Sequence, residues 1–258
     1  LYGLSTFAFM VGLSNLPDLI GAALIVLGCF LFYVFAKYEL NSSSPIINLE
    51  LFKTNKGFAF SGLAAMINYS ATFAVTFLLS LYLQYIKGLS PKEAGLILMV
   101  QPITMVIVSP LSGRVADFVE PRKLASTGMF ITAVGLFSLT FVSQYTDIST
   151  IIEILVLLGF GFGLFSSPNM TAIMNSVQKS EYGFASGVVG SMRIFGQMLS
   201  MGLAQLIFAV FIGPVHLNED MFPVFIESLK IAFLMYGLIC VAGIYPSVAR
   251  GNIITRTN

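Results

Sequence analysis

Apolar runs of bilayer-spanning length recur along the whole chain, and that repetition constrains the fold more than any other feature. A hydrocarbon core of about 30 Å takes roughly 20 residues of helix. Runs of this kind lie near residues 1–13, 19–36, 57–84, 94–112, 124–143, 149–173, 184–212 and 229–249, the first cut short and the other seven complete. Inside lipid each backbone donor and acceptor must be satisfied within the segment, so such runs predict helices. The strictly alternating segments of about ten residues that mark a membrane β-barrel are absent. Only 10% of residues are charged and 57% are hydrophobic, where a soluble domain carries about 25% charged residues. Lipid must therefore solvate most of the surface, and the expected fold is an all-α polytopic membrane protein.

The breaks between runs carry turn chemistry. Ser14–Asp18 is one. In Lys87–Glu93, Ser90 is placed to cap a helix, with Pro91 at its first position and Glu93 in its first turn. The Ser/Asn-rich stretch 37–56 around Pro45 reads as a linker. Loop 213–228 holds the one histidine, His216, beside Glu219 and Asp220, a pattern expected of a solvated loop. Cys29 and Cys240 fall inside apolar runs, with no disulfide or metal spacing. The chain opens on Leu1 in mid-run with no signal-peptide pattern, which reads as the truncated start of a longer protein.

Basic residues set the orientation. Nine of them, Lys37, Lys53, Lys56, Arg114, Arg122, Lys123, Lys179, Arg250 and Arg256, fall on one side of an alternating topology. Lys87, Lys92 and Lys230 fall on the other, and Arg193 lies inside a span. The positive-inside bias places the 37–56 linker and the tail 251–258 in the cytoplasm, and the loops at 14–18, 144–148 and 213–228 outside. The net charge of +1 points to no nucleic-acid partner. No nucleophile–base pair, metal cluster or phosphate loop is present, so neither an enzyme nor a cofactor is expected.

Two segments carry a resemblance. Gly113-Arg-Val-Ala116-Asp117-Phe118-Val-Glu120-Pro-Arg122-Lys123 joins two spans on the cytoplasmic side. Acid and base in such a turn can pair with each other and with helix ends, forming contacts when that side closes and breaking them when it opens. The turn resembles the cytoplasmic motif of the major facilitator superfamily, in the copy found in the C-terminal half. Gly113, Ala116, Asp117, Arg122 and Lys123 match, while Phe118 replaces a usual basic residue and Glu120 a usual glycine. The second segment, Gly183-Phe-Ala-Ser-Gly187, then Arg193, then Gly196-Gln197, resembles the penultimate span of that family's fourteen-span drug:proton antiporter branch. Tyr82-Leu-Gln84, Gly88–Gly95, Gln101-Pro102, Pro168-Asn169 and Lys179–Tyr182 fit the same branch.

The resemblance implies the C-terminal six-helix bundle of the major facilitator fold over 57–250, with residues 1–36 as part of a central helix pair. An N-terminal six-helix bundle would be the missing partner. It also implies alternating-access transport in the cell membrane, driven by protons, of small amphipathic or cationic molecules. Another solute on the same scaffold (a sugar, metabolite or siderophore) and a non-transporting scaffold or receptor remain as alternatives.

The pathway candidates follow from polar residues inside spans. Gly183, Ser186, Gly187, Gly190, Arg193, Gln197, Ser200 and Ala204 share one face of a helix, where small residues allow close approach. An arginine in mid-span costs about 3 kcal/mol on insertion scales and normally faces protein or a water-filled cavity. Arg193 and Gln197 either face the transport path or hold helix structure. Asn68 lies on a milder stripe with Ser61, Ala65, Thr72 and Thr76, with Tyr69 beside it, and both could hydrogen-bond a substrate or link helices. The branch resemblance adds Gln101 and Asn169. Gly159 and Gly163 form a GxxxG pair expected to pack helices, and Pro102, Pro110 and Pro168 can kink theirs. No carboxylate sits in the middle of a complete span, so a proton-coupling acid is expected in the missing half.

Overall fold

The apolar runs form helices, and the polar breaks form their ends. The structure, a computed structural model, describes residues 1–16, 18–40, 49–213 and 221–251. His216, Glu219, Asp220, Pro45 and Arg256 lie outside these residues. Every regular element described is helical: α1 (Tyr2–Ser14), α2 (Leu19–Leu40), α3 (Leu49–Thr54), α4 (Lys56–Leu81), α5 (Pro91–Leu98), α6 (Val100–Val115), α7 (Pro121–Leu139), α8 (Ile148–Asn175), α9 (Tyr182–Phe211) and α10 (Phe222–Ala249). A π-helical turn, Tyr82–Ile86, extends α4.

Among the described residues, six helical segments are long and apolar enough to cross a bilayer: Leu19–Glu39, Lys56–Ile86, Pro91–Val115, Ile148–Asn175, Lys179–Phe211 and Phe222–Ala249. The expected span at 124–143 differs. Its helix, α7, starts at Pro121 and stops at Leu139, and Ser126, Thr127, Thr132 and Ser138 dilute its apolarity. The reason is position. α7 lies between α8 and α10, which cover Gly128, Met129, Thr132, Ala133 and Leu136, so little of it needs to face lipid. Within 37–56, α2 runs on to Leu40 and α3 fills Leu49–Thr54.

Local chemistry explains the helix ends. Ser90 and Glu93 form the expected capping box, with the Glu93 N–H donating to Ser90 Oγ at 3.3 Å and the Ser90 N–H to Glu93 Oε2 at 2.9 Å. Asn55 caps α4 by accepting the Phe58 N–H at 3.0 Å. Pro102 has no N–H for the Leu98 carbonyl, and the rod α5–α6 is interrupted at Met99. Pro110 and Pro168 sit inside α6 and α8, which continue through them.

Six rods (α4, α5–α6, α7, α8, α9 and α10) make one bundle. α8 packs on α6 and α7, α7 on α10, and α4 on α10 and α9. Glycines set the tightest crossings. A Cβ on Gly159 would lie 2.5 Å from the Gln101 carbonyl oxygen, and one on Gly163 2.9 Å from Val108 Cβ. On the opposite side of α8, a Cβ on Gly161 would meet the Thr132 N at 2.7 Å. The glycine run thus lets α8 touch α6 with one side and α7 with the other. The main core joins Leu78, Leu79 and Tyr82 to Met129, Leu136, Leu155, Phe225 and Phe233.

The exteriors of α2 and α5–α6 are bare: only 11% of the most apolar stretch of each is buried, and Val26, Phe30, Val106 and Ile107 stand exposed. Lipid, not water, accommodates such surfaces. The α1–α2 hairpin closes on itself at Gly12, Gly21 and Gly28. It leans on α9 through Tyr2, Phe9 and Phe32 around Phe195, and through a Tyr2 hydroxyl donating to Ser191 Oγ at 2.9 Å.

α4, α9 and α10 meet in one polar knot. The Tyr236 hydroxyl donates to the Ser200 carbonyl at 2.7 Å, and Ser200 Oγ accepts the Ala74 N–H at 2.9 Å. Tyr236→Phe is expected to cost about 1 kcal/mol of stability, visible as a lower thermal unfolding midpoint in detergent. An unchanged midpoint would show that this hydroxyl adds nothing.

Candidate functional site

One face of the bundle is concave, and its wall is built by α4, α5–α6, α8 and α9. It encloses a cavity of about 850 Å³. Tyr69, Thr72, Thr76 and Ser80 come from α4, Gln101 from α6, Phe162 from α8, and Arg193 and Gln197 from α9. A smaller cavity of about 290 Å³ continues beside it, lined by Ser166, Asn169, Ser186 and Gly190. Tyr69 and Arg193 belong to both walls and mark the junction.

The junction follows from a local event. A Cβ on Gly196 would collide with the Met66 carbonyl oxygen and lie 2.8 Å from Tyr69 Cβ. Only a bare glycine lets α4 and α9 approach this closely. Arg193 stands one turn before Gly196 on α9, so the same contact carries Tyr69 to the guanidinium. The Tyr69 hydroxyl faces Arg193 and the Ser166 hydroxyl, and its ring stands edge-on to Phe162 at 5.4 Å.

Four of the expected pathway residues, Tyr69, Gln101, Arg193 and Gln197, therefore surround one cavity. Asn169 lies at the edge of the smaller one, and its amide is already engaged. Nδ2 donates to the Ser61 carbonyl at 3.2 Å, and Oδ1 accepts from Arg250 at 2.7 Å. Asn68 lines neither cavity. It is wholly buried in α4, and its amide makes no hydrogen bond to a described residue. The small-residue stripe of α9 also splits. Gly183, Gly187 and Gly190 have nothing within 4 Å of a Cβ, so they leave open space instead of a helix crossing, while Ser200 and Ala204 are buried; Gly196, which lies off the stripe, makes the close contact with α4.

At the turn between α6 and α7, Gly113 meets α8: a Cβ there would lie 2.7 Å from Ser167 Oγ. Asp117 and Lys123 are exposed. Arg122 pairs with Glu120, Nε to Oε1 at 2.9 Å, and not with Asp117. Glu120 replaces a glycine of the family pattern, so the departure from the motif supplies the acid.

The residue that sequence reasoning passed over is Arg250, counted there only for orientation. It is 3% exposed. Its guanidinium donates to Asn169 Oδ1 at 2.7 Å, to Ser61 Oγ at 3.2 Å and to the Pro121 carbonyl at 3.1 Å. It thus ties the end of α10 to α4, α7 and α8. Burial pushes its pKa down to about 10, helped by nearby Arg122 and opposed by Glu120, so it stays charged at neutral pH. The three partners lie 81 to 189 residues away in sequence, and no local pattern announces them. Among the described residues no group of three or more His, Cys, Asp or Glu is placed to hold a metal ion.

Residues 61–250 match the family model described as Major Facilitator Superfamily. The uncharacterized transporter YebQ of Escherichia coli K12 is 32% identical over 183 residues, covering 71% of this chain and 39% of that protein. The riboflavin transporter RibZ of Clostridioides difficile 630 is 29% identical, covering 70% of the chain and 39% of that protein. The multidrug resistance protein Stp of Mycobacterium tuberculosis H37Rv is 25% identical, covering 79% of the chain and 37% of that protein. The chain spans less than half the length of these relatives.

Proposed function

This chain belongs to the Major Facilitator Superfamily, a family of membrane transporters, and from that premise we propose that its protein is a secondary active transporter working by alternating access. It moves small amphipathic molecules out of the cell, drawing on a proton gradient. The observation that carries the reading is the concave cavity on α4, α5–α6, α8 and α9, where Tyr69, Gln101, Arg193 and Gln197 face one space together with the hydroxyl residues Thr72, Thr76 and Ser80 and a set of apolar side chains. Transporters of this kind bind cargo near the bilayer midplane between two bundles, and a one-sided wall is what one bundle contributes. Residues 57–250 are the C-terminal bundle in this reading, 1–36 part of a central helix pair, 37–56 the cytoplasmic linker and 251–258 a cytoplasmic tail in the cell membrane.

The chain by itself then has half a site and does not transport. The proton-coupling carboxylate belongs to a partner N-terminal bundle, since neither cavity wall contains an acid. The turn around Gly113, Asp117, Arg122 and Lys123 acts as the cytoplasmic latch, with Glu120 holding Arg122 in the present arrangement. A name among the relatives favours a second cargo: riboflavin, or another metabolite, on the same scaffold.

The test uses the full-length protein without its native thiols, carrying Asp117→Cys or Gly88→Cys singly. These positions lie at opposite ends of the bundle. Imposing a proton gradient across proteoliposomes is expected to change maleimide labelling at the two sites in opposite directions. Labelling that stays constant at both under every gradient and load would mark a static scaffold or receptor and end the transport reading.

A further inference from the structure

Arg193 is the one side chain charged at neutral pH among the residues lining both cavities. It makes no ion pair with any described residue. Its neighbours at the junction are neutral, the Tyr69 hydroxyl and, through it, Ser166. A guanidinium presents five N–H donors in a fixed fork, and one phenolic oxygen occupies few of them. No other hydrogen bond to a described residue engages the rest, and Arg193 opens onto the cavity as an exposed side chain. The residue stands eleven positions into α9, about 16 Å along the helix axis from its start, well inside the hydrophobic layer. At that depth the low dielectric strengthens attraction for an anion and repulsion of a cation.

Resting on the transport reading, we propose that Arg193 and Tyr69 form an anion-recognition point, and that the cargo is an amphipathic organic acid carrying one carboxylate or similar group. The fork of Arg193 takes the carboxylate in a bidentate contact. Tyr69 holds the fork in place: it accepts from the guanidinium, and its proton is free for Ser166. The apolar body lies against Phe73, Phe77, Phe162 and Met201, in a cavity whose volume of about 850 Å³ suits a small organic molecule. This assignment narrows the cargo against the cationic class that the sequence resemblance left open.

The same guanidinium could instead be neutralised by an acidic side chain elsewhere in the full protein, and the experiment separates the two sources. The full-length protein is placed in nanodiscs of phosphatidylcholine, whose zwitterionic headgroups carry no net charge. Calorimetric binding is measured for two probes of equal shape and opposite charge, 2-naphthoate and 2-naphthylmethylammonium. Naphthoate is expected to bind saturably and at least about tenfold more tightly than the ammonium, a difference that one desolvated charge contact supplies. Arg193→Gln should remove that preference, and Arg193→Lys should keep part of it, because the charge stays while the fork is lost.

Equal or reversed preference in the unsubstituted protein overturns the anion site, and that comparison needs no variant to fold. Absence of naphthoate binding overturns it as well, since the guanidinium is then already paired within the protein. Proteoliposomes that carry the ammonium and not the acid leave the transport reading standing while the anion site falls. Naphthoate that binds as expected but is never moved leaves the site standing while the transport reading falls.

Discussion

Arg250→Ala in the full-length protein is expected to lower the stability of the bundle by about 3 kcal/mol, since hydrogen bonds to charged groups contribute about 1.5–3 kcal/mol each and do not add fully. Three acceptors lose their donor at once: Asn169 Oδ1, Ser61 Oγ and the Pro121 carbonyl. They come from three different helices, so the change unties this end of the bundle and does more than open a void. Arg250→Lys should recover only part of the loss, because an ammonium is a point charge and cannot span three acceptors with a planar fork. The measurement has a built-in reporter. Cys240 is buried and Cys29 exposed, so in a background with every native thiol but Cys240 replaced, a thiol-reactive dye reads unfolding through Cys240 alone. An Arg250→Ala protein that labels at the same temperature as its parent would show that the tie carries no stability.

A side chain at Gly196 should do comparable damage by a different route. Gly196→Leu forces α9 away from α4, since even a Cβ there overlaps the Met66 carbonyl and crowds Tyr69 Cβ. Overpacking of a tight core costs about 1–3 kcal/mol, and the displacement also pulls Tyr69 from Arg193. The expected result is a lower unfolding midpoint together with loss of transport by about tenfold or more, as misplacement of a binding group by an ångström can produce. Gly187→Ala is the stability control. It lies on the same helix with nothing within 4 Å of its Cβ, and its unfolding midpoint should not fall. If Gly196→Leu were as stable and as active as the parent, close approach of α4 and α9 would not be what builds the junction.

Both predictions concern features with unequal traces in the sequence. Gly196 belongs to the Gly196-Gln197 motif but lies off the small-residue stripe of α9. Spacing puts Gly183, Gly187 and Gly190 on one face of α9 and Gly196 on the other, but cannot say which face meets a neighbour, because that depends on where α4 crosses. Arg250 was visible only as one more cytoplasmic charge. At a helix end, a solvated arginine and a buried one have the same local sequence.

The apolar runs by themselves determined that this chain is helical and lies in lipid, because backbone groups in hydrocarbon have no partners except those within their own helix. Turn chemistry at Ser90–Glu93 likewise fixed a helix start locally, since every group in a capping box lies within four residues. Tertiary structure alone decided which polar side chains share a space. Asn68 and Tyr69 are adjacent in sequence, yet one is sealed in α4 and the other faces Arg193. A helix turns by about 100° per residue, so neighbours in sequence point to different surroundings, and only the packing of the other helices settles whether those surroundings are core, lipid or cavity. The short apolarity of α7 has the same origin: its cover comes from α8 and α10, which no local pattern could report.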